Sequence, residues 1–158
     1  IQAFDWHSKL TQVMSEEKVK TQVTYEIPKA ALATTYFSPC MHNLEKGISE
    51  DGRKRALLIM INVLKHMGWD LVKIQEYLLA WNKKNYQPLR EGYIISQINW
   101  HKKNTALILP PNCDHQSYYK TMGICTPDGL CKKIKNPVQY VSKKVWLEQH
   151  HKGKEKKK

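Results

Sequence analysis

The chain has 158 residues, 41% of them hydrophobic, with 26 Lys and Arg against 14 Asp and Glu and a formal net charge of +12. That is enough apolar material for one ordinary core, and the length suits a single domain. The longest apolar run, Ala56 to Ile61, falls far short of the roughly 20 residues needed to cross a bilayer, so a membrane-spanning protein is excluded and no membrane partner is expected.

An excess of cations argues for a polyanionic partner, because each neutralised phosphate releases condensed counterions. The excess is uneven: residues 132–158 hold ten Lys and two Glu, a net +8, against +4 for residues 1–131. The chain opens at Ile1 without a charged and apolar leader, and so reads as a piece of something longer. A charged, leader-free chain is expected to be intracellular, in the cytoplasm of an archaeal, bacterial, or virus- or plasmid-bearing host, or in the nucleus if eukaryotic. Four cysteines are too few for a disulfide scaffold at this length, which brings metal or cluster ligation forward.

In chain order, residues 1–37 read as an N-terminal extension or linker. Within it Val19, Thr21, Val23, Tyr25 and Ile27 alternate with polar residues, predicting a short half-buried strand that Pro28 ends. Ser38, Pro39 and Cys40 then set an N-cap hydroxyl, a proline at the first helical position and a thiol in the first turn, with Gly47 as a left-handed stop. The helix end is expected to favour thiolate at Cys40.

A second helix is predicted over Arg53 to Met67, with Leu57, Leu58, Ile61 and Leu64 on its apolar face and Asn62 and Lys65 elsewhere. Asp70 caps a third, whose Leu71, Ile74, Leu78 and Trp81 recur at intervals of three or four. Asn82 to Pro88 reads as a loop. Leu89 to Lys103 reads as a fourth helix, with Ile94, Ile95 and Ile98 inward and a basic polar face. From Pro110 to Tyr140 helical periodicity stops; the segment is rich in Pro, Gly, Asn and Asp and holds three of the four cysteines. So irregular a stretch buries little apolar area by itself, and ligation is the economical way to hold it. Residues 142–158 read as a basic C-terminal tail.

The spacing is Cys40-x72-Cys113-x11-Cys125-x5-Cys131, each thiol beside a turn or cap residue. Four thiolates suit tetrahedral zinc or a [4Fe–4S] cluster equally by number. Structural zinc sites usually carry a tight C-x2–4-C knuckle, absent here, so the spacing favours a cluster; zinc and unligated core cysteines stay open as alternatives. Glycines two residues ahead of Cys125 and Cys131 are expected to turn the backbone and aim amide N–H groups at sulfur. His42 and His115 each follow a cysteine by two, and exposed histidine is the preferred reading of both.

Three stretches resemble the iron–sulfur, C-terminal domain of the large subunit of archaeal and eukaryotic DNA primase: Ser38 to Leu44, Pro111 to Cys125, and Asp128 to Cys131 followed by Lys135 to Tyr140. The middle, Gly52 to Leu57 with Trp81, Asn82, Pro88 and Leu89, is closer to the shortened version of that module at the C-terminal ends of virus, phage and plasmid primase-polymerases. The resemblance covers residues 38–141. It implies a mostly α, compact helical domain around a four-cysteine iron–sulfur cluster, with minor short β elements and an irregular cysteine-rich C-terminal segment. It further implies Cys40, Cys113, Cys125 and Cys131 as ligands of one [4Fe–4S] cluster. The implied function is non-catalytic binding of single-stranded template DNA and of the initiating nucleotide or primer 5′-triphosphate end, in support of primer synthesis in DNA replication. The implied protein partner is a catalytic primase domain or subunit, which holds the polymerising carboxylates; this chain shows no acidic cluster suited to two Mg²⁺ ions.

Combining the resemblance with residue chemistry gives a candidate nucleic-acid set: Arg53 and Arg55 opening the second helix, Lys65, Trp81, Lys84, Tyr86, His101 and Lys102. Trp81 fits the apolar stripe of its helix as well as a stacking role. Here the acidic pair Glu50 and Asp51 replaces the family's histidine ahead of the arginine, and the stretch between the third and fourth cysteines is short. The competing readings are a zinc-stabilised nucleic-acid-binding or interaction module without a priming role, and an iron–sulfur nuclease or glycosylase. The last lacks a convincing catalytic carboxylate or lysine motif.

Overall fold

A computed structural model describes residues 26–155. Five helices account for most of its regular structure: α1 Pro39–Glu45, α2 Arg53–His66, α3 Leu71–Asn82, α4 Glu91–Lys103 and α5 Pro137–Glu155. Short 3₁₀ turns lie at Thr34–Tyr36 and Cys131–Lys133. Among the described residues there is no strand, and none of the helices is long and apolar enough to cross a membrane. The strand expected over Val19–Ile27 lies outside the described residues except for Glu26 and Ile27.

The core is built around α2. Ala56, Leu57, Ile59, Met60, Ile61, Val63 and Leu64 are all buried, so the helix is enclosed on almost every side rather than amphipathic in the ordinary sense. Each large aliphatic side chain so placed contributes roughly 1.5–3 kcal/mol through burial. Two details of the expected pattern change. Leu58 is on the exposed side at 38%, whereas Asn62 is buried, and its Oδ1 has no hydrogen-bond partner. Ile95 of α4 is likewise partly exposed, while Ile94 and Ile98 face inward.

α3 packs on both α2 and α4, and its start is fixed as the sequence suggests, with Asp70 accepting from the Lys73 amide at 2.8 Å. Trp81, at its far end, is 2% exposed and donates its indole N–H to the Leu44 carbonyl at 2.7 Å, joining α3 to α1. The loop after α3 is tied down by asparagines. Asn82 accepts from the Leu89 amide at 2.8 Å and donates to the Leu89 carbonyl at 2.7 Å. Asn85 accepts from the Ile48 amide at 2.7 Å, and Tyr86 N–H donates to the Ile48 carbonyl at 3.1 Å. Gly47, which ends α1, has φ +93°, and a Cβ there would run into the Lys84 carbonyl.

Both flanks of the 38–141 range are built into the fold. Upstream, Phe37 is buried, Leu32 N–H donates to the Met67 carbonyl at 2.9 Å, and the Trp69 indole donates to the Leu32 carbonyl at 2.7 Å. Downstream, α5 runs uninterrupted through position 142, so residues 142–155 are helix rather than a detached tail. That helix is anchored to the Thr34–Tyr36 turn by Tyr36 Oη donating to Glu148 at 2.6 Å and by Lys144 Nζ donating to the Thr35 carbonyl at 2.6 Å.

Candidate metal centre and nucleic-acid surface

The four cysteines come together. None is in a disulfide, and all line one cavity of about 290 Å³ whose walls are almost wholly apolar, closed by Tyr119, Ile134 and Pro137. Lys120 and Lys132 also border it. Each thiol is presented by a separate local device.

Cys40 sits in the first turn of α1. Ser38 makes no cap bond; its hydroxyl lies 3.0 Å from Cys40 Sγ instead. The expected lowering by the helix end is outweighed. The Cys40 thiol stands raised to about 12, by burial above all, with Ser38 opposing in part and the other three cysteines adding to the rise. Cys113 is fixed through its backbone, its N–H donating to the Lys135 carbonyl at 2.7 Å, and burial followed by Cys125 and Cys131 raises its thiol to about 11. Cys125 is bracketed by Asn43 of α1, whose Nδ2 donates to the Ile124 carbonyl and to Thr126 Oγ1, each at 2.9 Å. Gly123, two residues ahead, has φ +68°, the left-handed turn expected there.

Cys131 is set differently from expectation. Gly129 keeps an ordinary φ, and Asp128 closes the turn: its Oδ1 accepts from the Leu130 and Cys131 amides, both at 3.0 Å. The Cys131 N–H is thereby directed at a carboxylate rather than at sulfur. Asp128 Oδ2 accepts from Tyr140 of α5 at 2.7 Å. Burial pushes the Asp128 carboxyl up, but the bonds from Tyr140 and from the Cys131 and Leu130 amides win and hold it below the usual range. The Cys131 thiol is raised, chiefly by burial. α5 itself starts on Asn136, whose Oδ1 accepts from the Gln139 amide at 3.0 Å, with Pro137 at its first position.

The donor set fits an iron–sulfur cluster in kind: four thiols outside any disulfide and a largely apolar enclosure, with Lys120, Lys132 and Asp114 at its border. Burial raises the Cys40, Cys113 and Cys131 thiols, so ligation there would displace protons. His42 and His115 do not line the cavity; His42 pairs with Glu45 at 3.0 Å and His115 Nδ1 accepts from the Ser117 amide at 3.3 Å. Among the described residues, no three His, Cys, Asp or Glu side chains converge as a single-ion site.

The candidate nucleic-acid residues divide into groups. At the N-terminal end of α2, Arg53 donates to the Gln87 carbonyl, and Arg55 donates to the Ser117 carbonyl with its other arm 3.9 Å from Asp51. These guanidinia are struts, one to the loop after α3 and one to the cysteine-rich segment, each with further N–H groups to offer. Arg53 shares a small pocket of about 220 Å³ with Tyr86, which is 79% exposed. Lys84 is exposed and donates to the Glu45 carbonyl at 3.1 Å. At the other end of α2, roughly 18 Å away along the helix, Lys65 Nζ lies 3.2 Å from Nδ1 of the buried His101, beside exposed Lys102. Trp81 joins neither group: it is a core residue with no face open to a base.

Asn43 went unnoticed in sequence because its partners lie 81 and 83 positions away. Asp128 carried a local signal, since Asp before Gly is turn chemistry.

With this geometry in place, comparison with known proteins adds one relationship. The chain is 26% identical over 144 residues to the DNA primase large subunit PriL of Methanococcoides burtonii, an alignment covering 87% of this chain and 37% of that protein. It is 26% identical over 159 residues to the PriL of Pyrococcus horikoshii, covering 78% of this chain and 40% of the relative. Both similarities support a relationship to the primase large subunit, and each aligned share exceeds the 38–141 stretch. The chain spans 40% or less of the length of these curated relatives. No family model matches, and no solved structure matches.

Proposed function

We propose that this chain holds a [4Fe–4S] cluster on Cys40, Cys113, Cys125 and Cys131 and is the non-catalytic, nucleic-acid-binding part of a DNA primase. In this reading it binds single-stranded template together with the initiating nucleotide or the 5′-triphosphate end of the primer, while a separate catalytic domain or subunit polymerises. The observation that carries the reading is the gathering of Cys40 with the distant Cys113, Cys125 and Cys131 around one apolar cavity of about 290 Å³. A cubane takes one thiolate per iron, whereas tetrahedral zinc needs four sulfurs at about 2.3 Å from a single point. The similarity to PriL points in the same direction.

When bound, the cluster supplies four covalent tethers that join α1 to the irregular segment leading into α5. The chain's own residues do the rest. Asn43, Asp128 and Tyr140 hold the ligand-bearing backbone. Arg53 and Arg55 present guanidinium N–H groups at the start of α2, where phosphate oxygens are well matched, and exposed Tyr86 offers a ring beside Arg53 for stacking. Lys84, Lys65 and Lys102 add electrostatic attraction along the backbone of the strand.

The test uses the full chain purified without oxygen. About four irons per chain and broad absorbance near about 400 nm are expected; one zinc and no colour would overturn the cluster. Arg53→Ala should weaken binding to a 5′-triphosphorylated primer–template more than to the same duplex with a 5′-hydroxyl. Equal affinity of the unaltered protein for the two ends would overturn the priming role.

A further inference from the structure

A second concavity, separate from the thiol cavity, lies between residues 26–32, the C-terminal end of α2, the turn at 133–135 and α5, with a volume of about 980 Å³. Its floor is aliphatic, made by Leu32, Val63, Met67, Val138, Val141 and Val145. Its border is cationic: Lys29, Lys133, Lys135 and Lys143 are all exposed, with Glu26 the one carboxylate among the described lining residues. Lys143 folds back onto the Lys133 carbonyl, which keeps its ammonium over the groove edge. The strip from 132 to 138 is a wall common to both cavities, with Lys132, Ile134 and Pro137 facing the thiols and Lys133, Lys135 and Val138 facing the groove.

The combination selects an occupant. No Phe, Tyr or Trp is among the described lining residues, and the one ring there, His66, is 7% exposed with its Nδ1 2.7 Å from the Asn62 carbonyl, so little flat ring surface is offered for nucleic-acid bases to stack on. An aliphatic trough bordered by lysines complements a helix that carries an apolar stripe with carboxylates on both sides of it. We propose that this groove docks an acidic amphipathic helix of a partner protein, its aliphatic side chains on the valine floor and its Asp and Glu against the four lysines. The proposal goes beyond the cluster reading and does not depend on it.

The experiment uses the full chain and a fluorescent peptide of about five helical turns, with Leu at i, i+3, i+4 and i+7 and Glu at the flanking positions. Saturable binding by anisotropy, together with slowed amide exchange across residues 133–145, is expected. Scrambling the peptide at constant composition, or combining the exposed-site changes Lys29→Glu and Lys135→Glu, should each weaken it about tenfold; circular dichroism checks that the variant folds. Failure to bind, or binding indifferent to both changes, overturns the proposal. Protection of 133–145 by an oligothymidylate that also displaces the peptide overturns it in favour of nucleic acid. Carbodiimide cross-links from Lys29 or Lys135 to Glu16 or Glu17, with no peptide binding, overturn it in favour of the chain's own amino-terminal residues.

Discussion

Tyr140 donates its phenolic hydrogen to one oxygen of Asp128 at 2.7 Å, while the other oxygen of that carboxylate holds the amides of Leu130 and Cys131. A helix that packs in the core thus fixes, through one exposed carboxylate, the backbone of the fourth cysteine. Tyr140→Phe keeps the ring and removes the latch. Because the freed carboxylate regains water, the expected loss of stability is about 1 kcal/mol. The more telling readout is local: amide exchange at Leu130 and Cys131 should accelerate more than exchange within α2. Uniform acceleration would mean that the hydroxyl serves the core rather than the Cys131 turn.

Trp81 tests the separation of core from surface. Trp81→Ala opens a large cavity beneath α1 and should cost about 3–5 kcal/mol. Trp81→Phe retains most of the packing and strands the Leu44 carbonyl that the indole now satisfies. The folded Phe variant should bind single-stranded DNA as the unaltered protein does. A loss of about 1–3 kcal/mol in that binding, the worth of one stacked base, would instead place the indole on the ligand.

Much of the fold was legible from local chemistry. Pro39, Gly47 and Asp70 mark helix boundaries because each acts on its own backbone, and the structure places ends at or beside them, whereas Pro137 opens a helix inside the stretch read as irregular. What the sequence misjudged is non-local. Asn62 looked like a surface residue on an amphipathic helix, but α2 is enclosed by α3 and α5, which no heptad pattern reveals. Residues 142–158 read as a basic tail, and what the reading lacks is that residues 142–155 are helix, tied by Lys144 and Glu148 to Thr35 and Tyr36 more than a hundred positions upstream. That the four thiols share one cavity agrees with what the resemblance implies and could not be read from their local turn contexts. The devices that aim them, Asn43 above all, depend on contacts across the fold.

Asn43 spans both sides of Cys125 with a single amide. Asn43→Ala removes two hydrogen bonds and leaves the Ile124 carbonyl without its donor, an expected cost of about 2 kcal/mol. Asn43→Asp is nearly isosteric but offers no N–H, so it should fare no better. Limited proteolysis should cut within residues 113–131 of either variant before it cuts in α2 or α3. Cleavage that begins elsewhere would remove Asn43 from the role of clamp.

His101 and Lys65 make stability depend on pH in a definite direction. Burial lowers the His101 imidazole below its ordinary 6.5, and the Lys65 ammonium 3.2 Å away lowers it further. His66 is lowered as well, by burial first, with Lys65 adding to that and its bond to the Asn62 carbonyl opposing it. Between the folded and unfolded values the unfolded chain binds more protons, so stability falls as pH drops through 6.5 and continues to fall until the folded imidazoles titrate. Proton NMR titration of the full chain should give midpoints for both rings below 6.5. Lys65→Gln removes the nearby cation, so both midpoints should rise and the slope of melting temperature against pH between about 5.5 and 7 should flatten. Midpoints that stay put in the variant would leave burial alone as the cause, and the lysine would have no electrostatic hold on either ring.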